Sequence, residues 1–332
     1  MLLGSRSKPL IGLDITTSSI KLLELAQVGK GYRAECYSAE ATPPNSINEK
    51  TIVDADAVGE AIRRAVKRSG TKATEVAIAI SGDAAITKVI QMPSNLGETD
   101  LEGQVEIQAD QYIPFPMEEV SFDFEVLGPS ANDPEMNDVL LGATRTENVD
   151  QRRAAVEAAG MKARVGDVVP FALENACHLL AHQMPDGGVD HLIAVVDFGA
   201  SNTTFSVLQD MRVVYTRDFS FGGQQLTEEI MRTYGLSLED AGRAKKEGGL
   251  PSNYQPEVLD PFIDDMTQQV SRSLQFFLAS GGGREQPDQI LVCGGCANIP
   301  GVADVISSKV GIPTEIGDPL GYMKVSGKAK SQ

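Results

Sequence analysis

Two runs of small polar residues each follow an apolar segment that ends near an aspartate. Asp14 precedes one run and Asp197 the other, and an apolar segment resumes after each run. Consecutive backbone N–H groups in such a tight turn can bind an anion, and serine and threonine hydroxyls add further donors. The aspartates could hold Mg²⁺ through water, since this ion bridges carboxylate and phosphate oxygens. The pattern therefore predicts two hairpins, on two copies of a duplicated domain, that hold one polyphosphate from opposite sides.

A third, glycine-rich element lies later in the chain. The apolar segment 290–292 leads through Cys293 into Gly294 and Gly295, and Ala297 lies just beyond. Glycines at such a turn let the backbone lie flat against a nucleoside, where side chains would collide. The three elements, in this order, resemble the two phosphate motifs and the adenosine motif of the actin, Hsp70 and sugar kinase superfamily.

A fourth stretch lies between the second hairpin and this glycine turn, and it includes the lysines at 245 and 246. It resembles the part of the FtsA branch that frames adenine and ribose, and this implies that Lys245 approaches the nucleotide with Lys246 beside it. The alternative is that both lysines lie on a solvated helix face. The residues predicted to bind nucleotide are Thr16, Thr17, Ser18, Ser19, Lys21, Gly199, Ala200, Ser201, Asn202, Thr203, Gly222, Gly223, Lys245, Lys246, Gly294, Gly295 and Ala297.

A resemblance to the PilM family of type IV pilus assembly proteins covers nearly the whole chain. It is carried by residues 10–25, 61–70, 108–116, 174–176, 269–277 and 294–295. The run Gln-Tyr-Ile-Pro-Phe-Pro at 111–116 is the most telling, since it lies outside the nucleotide-binding core that the superfamily shares. The resemblance implies an α/β actin-like ATPase fold, with two RNase H-like domains around a nucleotide cleft and an inserted subdomain of the FtsA and PilM type. It also implies ATP or ADP with Mg²⁺ as cofactors.

The same resemblance implies the partners. A groove in or beside the inserted subdomain would hold the cytoplasmic N-terminal tail of PilN, and other pilus platform and motor proteins are expected to bind. Whether the chain associates with itself is left open by the sequence. The residues of the groove cannot be assigned from the sequence, because Phe115, Phe122 and Phe124 suit a hydrophobic core equally well.

The 332 residues are enough for two domains. The Pro-Asp-Gly-Gly cluster at 185–188 is the best boundary between them. We predict a first core at 1–85 and 161–187, with the inserted subdomain at 86–160. A second core at 188–221 and 285–326 would carry a helical subdomain at 222–284, and a mobile tail would follow at 327–332. Continuous helices are predicted over 171–183 and from about 257 to 279.

The net charge of −17 argues against two classes of partner. Nucleic acids and anionic lipids are bound largely through lysine and arginine, so neither is expected to bind this chain as a whole. The sequence contains no run of about 18 apolar residues, the length that is needed to span a bilayer. Its last residues lack the apolar face of an amphipathic helix that inserts into a membrane. The expected location is cytoplasmic, peripheral to the inner membrane through protein partners.

Hydrolysis requires a side chain that orients water in line with the terminal phosphate. In the superfamily this residue lies near the strand-to-helix connection, here 166–174, where Asp167 and Glu174 are the acids. Neither is a convincing catalyst, so we predict that ATP is bound and turned over slowly or not at all. A single Cys-x-x-C at Cys293 and Cys296 is better explained as a tight turn than as half a zinc site.

Two other functions remain open from the sequence. One is a small-molecule kinase of the same superfamily, for which the chain offers no convincing catalytic base. The other is an FtsA-like filament protein of cell division or of a secretion platform, although the membrane helix of FtsA is missing here. The histidines at 178 and 182, four apart on the predicted helix, could present two metal ligands, but ordinary surface histidines are the simpler interpretation.

Overall fold

The computed structural model describes residues 9–29, 31–48, 51–130, 133–280 and 285–330. The chain forms two compact units, Met1–Ala172 with Met323–Gln332, and Leu173–Tyr322. The strands are β1 (Leu10–Ile15), β2 (Ser19–Val28), β3 (Gly31–Ala41), β4 (Ile47–Asn48), β5 (Thr51–Ile52), β6 (Glu75–Ile80), β7 (Ala85–Pro93), β8 (Val120–Pro129), β9 (Met136–Arg145), β10 (Lys162–Val168), β11 (Leu192–Phe198), β12 (Thr203–Gln209), β13 (Arg212–Phe219), β14 (Gln289–Cys293), β15 (Thr314–Ile316) and β16 (Lys324–Val325).

The helices are α1 (Ala55–Ser69), α2 (Glu98–Ala109), α3 (Thr146–Ala158), α4 (Val169–Cys177), α5 (Gly223–Tyr234), α6 (Leu238–Glu247), α7 (Asp260–Ala279), α8 (Val302–Val310) and α9 (Gly327–Lys330). The cap signals in the sequence explain where α1 begins and ends. The carboxylate of Asp54 accepts a hydrogen bond of 2.9 Å from the N–H of Ala57, and Gly70 ends the helix at φ 65°.

Each unit is built on one large sheet, and the two sheets share a strand order. The first has the order β10-β6-β1-β2-β3-β16 and the second β13-β12-β11-β14-β15. In each, the first three strands in chain order form an antiparallel meander. A later strand pairs parallel with the first of them, and a further strand pairs parallel with that later one. The faint sequence repeat around Asp14 and Asp197 therefore corresponds to a repeat of topology. Each hairpin of small residues lies at the centre of its own sheet.

The inserted block forms its own small sheet, of order β7-β9-β8. A separate core of buried apolar side chains, among them Ile90, Val105 and Leu141, lies between this sheet and α2. The side chains of Phe115, Phe122 and Phe124, left unassigned by the sequence, are partly buried against that core. In the edge strand β8 no residue is fully buried.

The boundary between the units differs from the predicted one. The sequence assigns residues 173–187 to the first half, but they lie in the second unit. The reason is hydrophobic packing, because Cys177, Leu180 and Met184 form a cluster with Ile193 and Val195 of β11. The Pro-Asp-Gly-Gly cluster is a turn inside this unit and does not separate the two.

Two predicted helices are less regular than expected. The helix over 171–183 ends at Cys177 and continues as a 3₁₀ turn, His178–Gln183, so His178 and His182 do not share a helical face in the way that four-residue spacing implies. The long helix starts as a short π segment, Gln255–Leu259, ahead of α7. Pro256 and Pro261 lie in these first turns, and each lacks the N–H that a regular helix interior requires.

Among the described residues, no helix has both the length and the apolar character needed to cross a bilayer. The segment predicted as a mobile tail contains α9, whose Lys330 N–H donates to the carbonyl of Ser326 at 3.0 Å. The Ser326 hydroxyl donates in turn to the carbonyl of Glu35 at 2.5 Å. Residues 331–332 of that prediction lie outside the described residues.

Candidate nucleotide-binding site

The first hairpin, between β1 and β2, is braced by its own threonine and by a distant one. The backbone N–H and the hydroxyl of Thr16 both donate to the carbonyl of Ser19, at 3.0 and 2.9 Å. The hydroxyl of Thr42 donates to the carbonyl of Thr16 at 2.7 Å. Thr16 therefore shapes the turn, while Thr17 and Ser18 stand at its tip. No pattern in the sequence points to Thr42, which lies beyond β3 in the chain.

Asp14 and Lys21 face each other across this hairpin. They are register partners on β1 and β2, and Lys21 Nζ lies 3.1 Å from Asp14 Oδ2. The exposed fractions of the two side chains are 47% for Lys21 and 56% for Asp14. An ion pair this exposed contributes little stability, so it can open at small cost when a charged ligand arrives. Asp14 would then be available for the water shell of a metal ion and Lys21 for a phosphate oxygen.

The second hairpin, between β11 and β12, is bound directly to the start of α5. The N–H of Gly199 closes the turn by donating to the carbonyl of Asn202 at 3.0 Å. The N–H groups of Gly223 and Gln224 donate to the carbonyls of Gly199 and Ala200, at 3.0 and 2.8 Å. A Cβ atom at Gly222 would lie only 2.4 Å from the carbonyl oxygen of Ala200. The second hairpin and the start of α5 are thus joined by backbone hydrogen bonds. Glycine is required at position 222 because no side chain fits there.

Lys245 belongs to the same cluster, whereas Lys246 does not. Lys245 Nζ donates to the carbonyl of Gly223 at 2.9 Å and to the hydroxyl of Thr227 at 2.6 Å. Burial lowers the pKa of Lys245, and the charge of Lys246 contributes in the same direction. Lys246 is exposed. The structure therefore separates two lysines that the sequence treated together, and it adds Thr227, which the sequence did not single out.

The glycine turn after β14 packs against the end of β11. Gly294 has φ 82°, and a Cβ there would lie 2.3 Å from Asp197 Oδ1 and 2.4 Å from the carbonyl oxygen of Phe198. Cys296 Sγ lies 3.7 Å from the carbonyl oxygen of Gly199. Burial raises the pKa of Cys296, so its thiol remains a neutral donor. Within the second unit, the chain thus collects the hairpin, the α5 start, Lys245 and the glycine turn around Asp197.

The remaining predicted residues have varied surroundings. Gly295 is exposed and Ala297 is buried, while Ser201 and Asn202 are partly exposed in the hairpin. Glu174 is engaged elsewhere, because its two carboxylate oxygens accept from Arg212 at 3.2 Å and from the N–H of Val213 at 2.7 Å. Asp167, on β10, accepts from the N–H of Val168 at 2.7 Å. Glu174 thus has a structural contact to β13, whereas the bond of Asp167 is only to its own neighbour in the chain.

The donor set suits a metal ion that arrives with a nucleotide. In the part of the chain that the structure describes, no three His, Cys, Asp or Glu side chains are grouped so that they could hold a metal ion. Magnesium commonly uses one or two carboxylates together with water and substrate phosphates. Asp14 and Asp197, each at the base of the hairpin of its own unit, are carboxylates of the kind that such an ion uses. The four cysteines are free thiols, and burial raises the pKa of Cys293 to about 12.

Known proteins are similar to this chain over almost its whole length. The family described as type IV pilus assembly protein PilM matches residues 12–332. The cell division protein FtsA of Enterococcus hirae is 24% identical, over 92% of this chain and 79% of FtsA. The solved structure of a PilM-PilN type IV pilus biogenesis complex is 28% identical, with a TM-score of 0.77, over 96% of this chain and 91% of the solved one.

A more distant likeness concerns the fold alone. MreB5 of Spiroplasma citri, solved with AMPPNP bound, is 14% identical with a TM-score of 0.50, over 94% of this chain and 92% of that chain. Together with the duplicated strand order, these likenesses confirm the predicted α/β actin-like ATPase fold.

Proposed function

The chain belongs to the type IV pilus assembly protein PilM family, and we propose that it is the ATP-binding adaptor of the pilus assembly platform. Its role in type IV pilus assembly follows from the family. The further proposal is that it binds the cytoplasmic N-terminal tail of PilN, stays at the inner membrane through that contact, and connects the platform to the cytoplasmic motor that drives twitching motility. The observation that carries this proposal is the similarity to the PilM-PilN complex along almost the entire chain.

The nucleotide part of the proposal rests on the cluster around Asp197. Gly222 and Gly294 both occupy positions where any Cβ would collide with backbone oxygen, so the chain keeps an open, backbone-lined turn beside an aspartate. Such a turn suits a phosphate or ribose, and Lys245 supplies a partly buried cation nearby. That MreB5 was solved with AMPPNP agrees with a nucleotide role for this fold. We propose Asp14 and Asp197 as the residues that would hold Mg²⁺ through water.

The peptide part is assigned to the open edge of the inserted block. An edge strand presents unpaired backbone groups to which an extended peptide can add as a further strand. Strand β8 is such an edge, and it exposes Val126 and Leu127 to 42% and 47%. Phe122 and Phe124 on the same strand are only partly buried. This edge therefore offers main-chain hydrogen bonds and apolar side chains together.

A titration tests the partner. A labelled peptide of the PilN cytoplasmic tail is expected to bind saturably at micromolar concentration or tighter, and Mg-ATP should shift the affinity if the two sites are energetically coupled. Anisotropy measures both. Leu127→Glu should weaken peptide binding about tenfold, because it buries a charge against apolar peptide side chains.

Val214→Glu is the matched control, since Val214 is exposed to 46% on β13 in the second unit. It should leave peptide affinity unchanged. Absence of peptide binding with and without nucleotide would contradict the adaptor role, and the kinase or filament functions would then be favoured. Equal losses in the two variants would place the peptide away from β8.

We expect ATP turnover to be slower than about one per second, the low end of the usual enzyme range. The physical reason is that Glu174 is held by Arg212 and by a backbone N–H, an arrangement that favours a structural role over the positioning of water. Glu174→Gln and Asp167→Asn should both leave the rate of phosphate release within about twofold of the wild type. A purified protein that releases several phosphates per second without partners would contradict this prediction.

A further inference from the structure

One end of the first sheet collects exposed positive charge. Strands β1, β6, β10 and β16 run parallel and start at this end, and the turn between β2 and β3 lies there too. The α9 helix is held at the same end, because Lys328 Nζ donates to the carbonyl of Gly70, the residue that ends α1. We define the basic end by seven exposed cations, which are Lys67, Lys72, Lys162, Arg164, Lys324, Lys328 and Lys330.

Three acidic residues near this end are less exposed than the cations, whereas Glu157, on the last turn of α3 before β10, is exposed. Glu24, Glu35 and Glu75 are all partly buried. The carboxylate of Glu24 accepts a hydrogen bond of 2.5 Å from the hydroxyl of Thr71, and Glu35 pairs with Arg33. The exposed charge of the basic end is therefore positive, in a chain whose net charge is −17.

Exposed apolar side chains lie among these cations. Leu10 begins β1, Val28 ends β2, Tyr32 lies at the start of β3, and Val165 lies on β10. Their exposed fractions are 37%, 45%, 46% and 42%. Aliphatic and tyrosine side chains combined with lysine are typical of surfaces that contact the headgroup region of a bilayer.

We propose that the basic end binds the surface of an anionic lipid bilayer. The six strands of this sheet span about 24 Å from edge to edge, at roughly 4.8 Å per strand spacing. Lys162 begins the strand at one edge and Lys324 the strand at the other, with Leu10, Val28 and Tyr32 on the strands between them. Such a broad distribution suits an extended surface better than a single bound peptide, whose charges would be concentrated in one groove.

The net charge does not prevent this contact. Charges are screened over about 8 Å at physiological ionic strength, so a bilayer responds to the nearest face of the protein rather than to the whole molecule. Each lysine or arginine close to an anionic surface strengthens binding about fivefold. The expectation from composition, that anionic lipid would be repelled, thus holds for the molecule as a whole but not for this face.

Lipid binding at the basic end would leave the first hairpin accessible. Strand β1 runs from this end to the hairpin over six residues, about 20 Å. The nucleotide-binding elements of the first unit therefore face away from the bilayer. The proposal is independent of PilN and ATP binding, so its failure would leave the proposed function intact.

Flotation with vesicles tests the proposal on the full chain. We expect the protein to float with vesicles of phosphatidylcholine and phosphatidylglycerol but not with phosphatidylcholine alone, and added salt should release it. The combined changes Lys72→Gln, Lys162→Gln, Lys324→Gln and Lys330→Gln should weaken binding by roughly a hundredfold or more, given about fivefold for each cation. The circular dichroism spectrum should stay unchanged, because all four side chains are exposed.

The matched control makes the same change in net charge at residues of α3, α5, α6 and α8. It combines Arg153→Gln, Arg232→Gln, Arg243→Gln and Lys309→Gln. This control should bind anionic vesicles roughly a hundredfold more tightly than the variant of the basic end. The proposal is overturned if wild-type protein does not float with anionic vesicles, or if both variants lose binding equally. It is also overturned if polyglutamate, and not the vesicles, binds through these lysines, since the surface would then serve an acidic polypeptide.

Discussion

Gly294→Ala is expected to lower the free energy of unfolding of the second unit by about 3 kcal/mol, because alanine is strained at φ 82° and its Cβ would overlap backbone and carboxylate oxygens. The first oxygen to move would be Asp197 Oδ1, only 2.3 Å from the new atom. We therefore expect nucleotide affinity to fall about tenfold or more, since the carboxylate that would hold the Mg²⁺ water shell is displaced. Denaturant unfolding and calorimetric nucleotide titration measure the two effects.

The neighbouring glycine provides the control. A Cβ atom added at Gly295 would meet no heavy atom within 4 Å, and the φ of Gly295 lies outside the left-handed region, so Gly295→Ala should change both quantities little. If Gly294→Ala were as stable as the wild type, this would contradict the predicted overlap between the new Cβ atom and Asp197 Oδ1. If it were destabilised but bound nucleotide normally, the turn would support the fold alone and the glycine element would not belong to a nucleotide site.

The sequence alone is sufficient to predict those features whose conformation depends on a short stretch of residues. Asp54 and Gly70 mark the ends of α1 because capping depends on residues within one turn of the helix. The hairpins at Asp14 and Asp197 were recognisable because apolar strands on both sides of a short run of small residues leave few other conformations. Their repetition then predicted a duplicated sheet, and the shared strand order confirms it.

The contacts that shape the candidate site could not be read in the same way. Thr42 reaches Thr16 across 26 residues, and Lys245 reaches Gly223 across 22. No local pattern marks such pairs, because the fold alone brings them together. The same reason explains the misplaced domain boundary, since Leu180 and Met184 join the second unit through packing with β11 that a proline and glycine cluster does not reveal.

Electrostatics show the limit of composition most clearly. The cations of the basic end come from three stretches, 67–72, 162–164 and 324–330, and many acidic residues lie between these stretches along the chain. The net charge averages over all faces and so predicts repulsion from anionic surfaces. Only the sheet topology, which brings the starts of β6, β10 and β16 to one end, reveals a face of opposite sign.

Lys245→Met is expected to weaken nucleotide binding about thirtyfold, with a smaller loss of stability. A charge-assisted hydrogen bond contributes about 2 kcal/mol, which corresponds to that factor in affinity. Methionine retains most of the aliphatic stem but removes the cation from the carbonyl of Gly223 and the hydroxyl of Thr227. Those two groups still bond to each other at 3.1 Å, so the fold should survive. Calorimetric titration with Mg-ATP measures the loss.

Lys246→Met is the matched control, since Lys246 is adjacent, equally charged and exposed, and its substitution should alter affinity less than about twofold. The pH dependence distinguishes a direct role from a structural one. Because burial lowers the pKa of Lys245, the cation loses its proton at a lower pH than an ordinary lysine. Nucleotide affinity should therefore fall as the pH rises through that value in the wild type and in Lys246→Met, and this fall should be absent in Lys245→Met. Equal pH profiles in all three proteins would show that Lys245 supports the start of α5 without contacting the nucleotide.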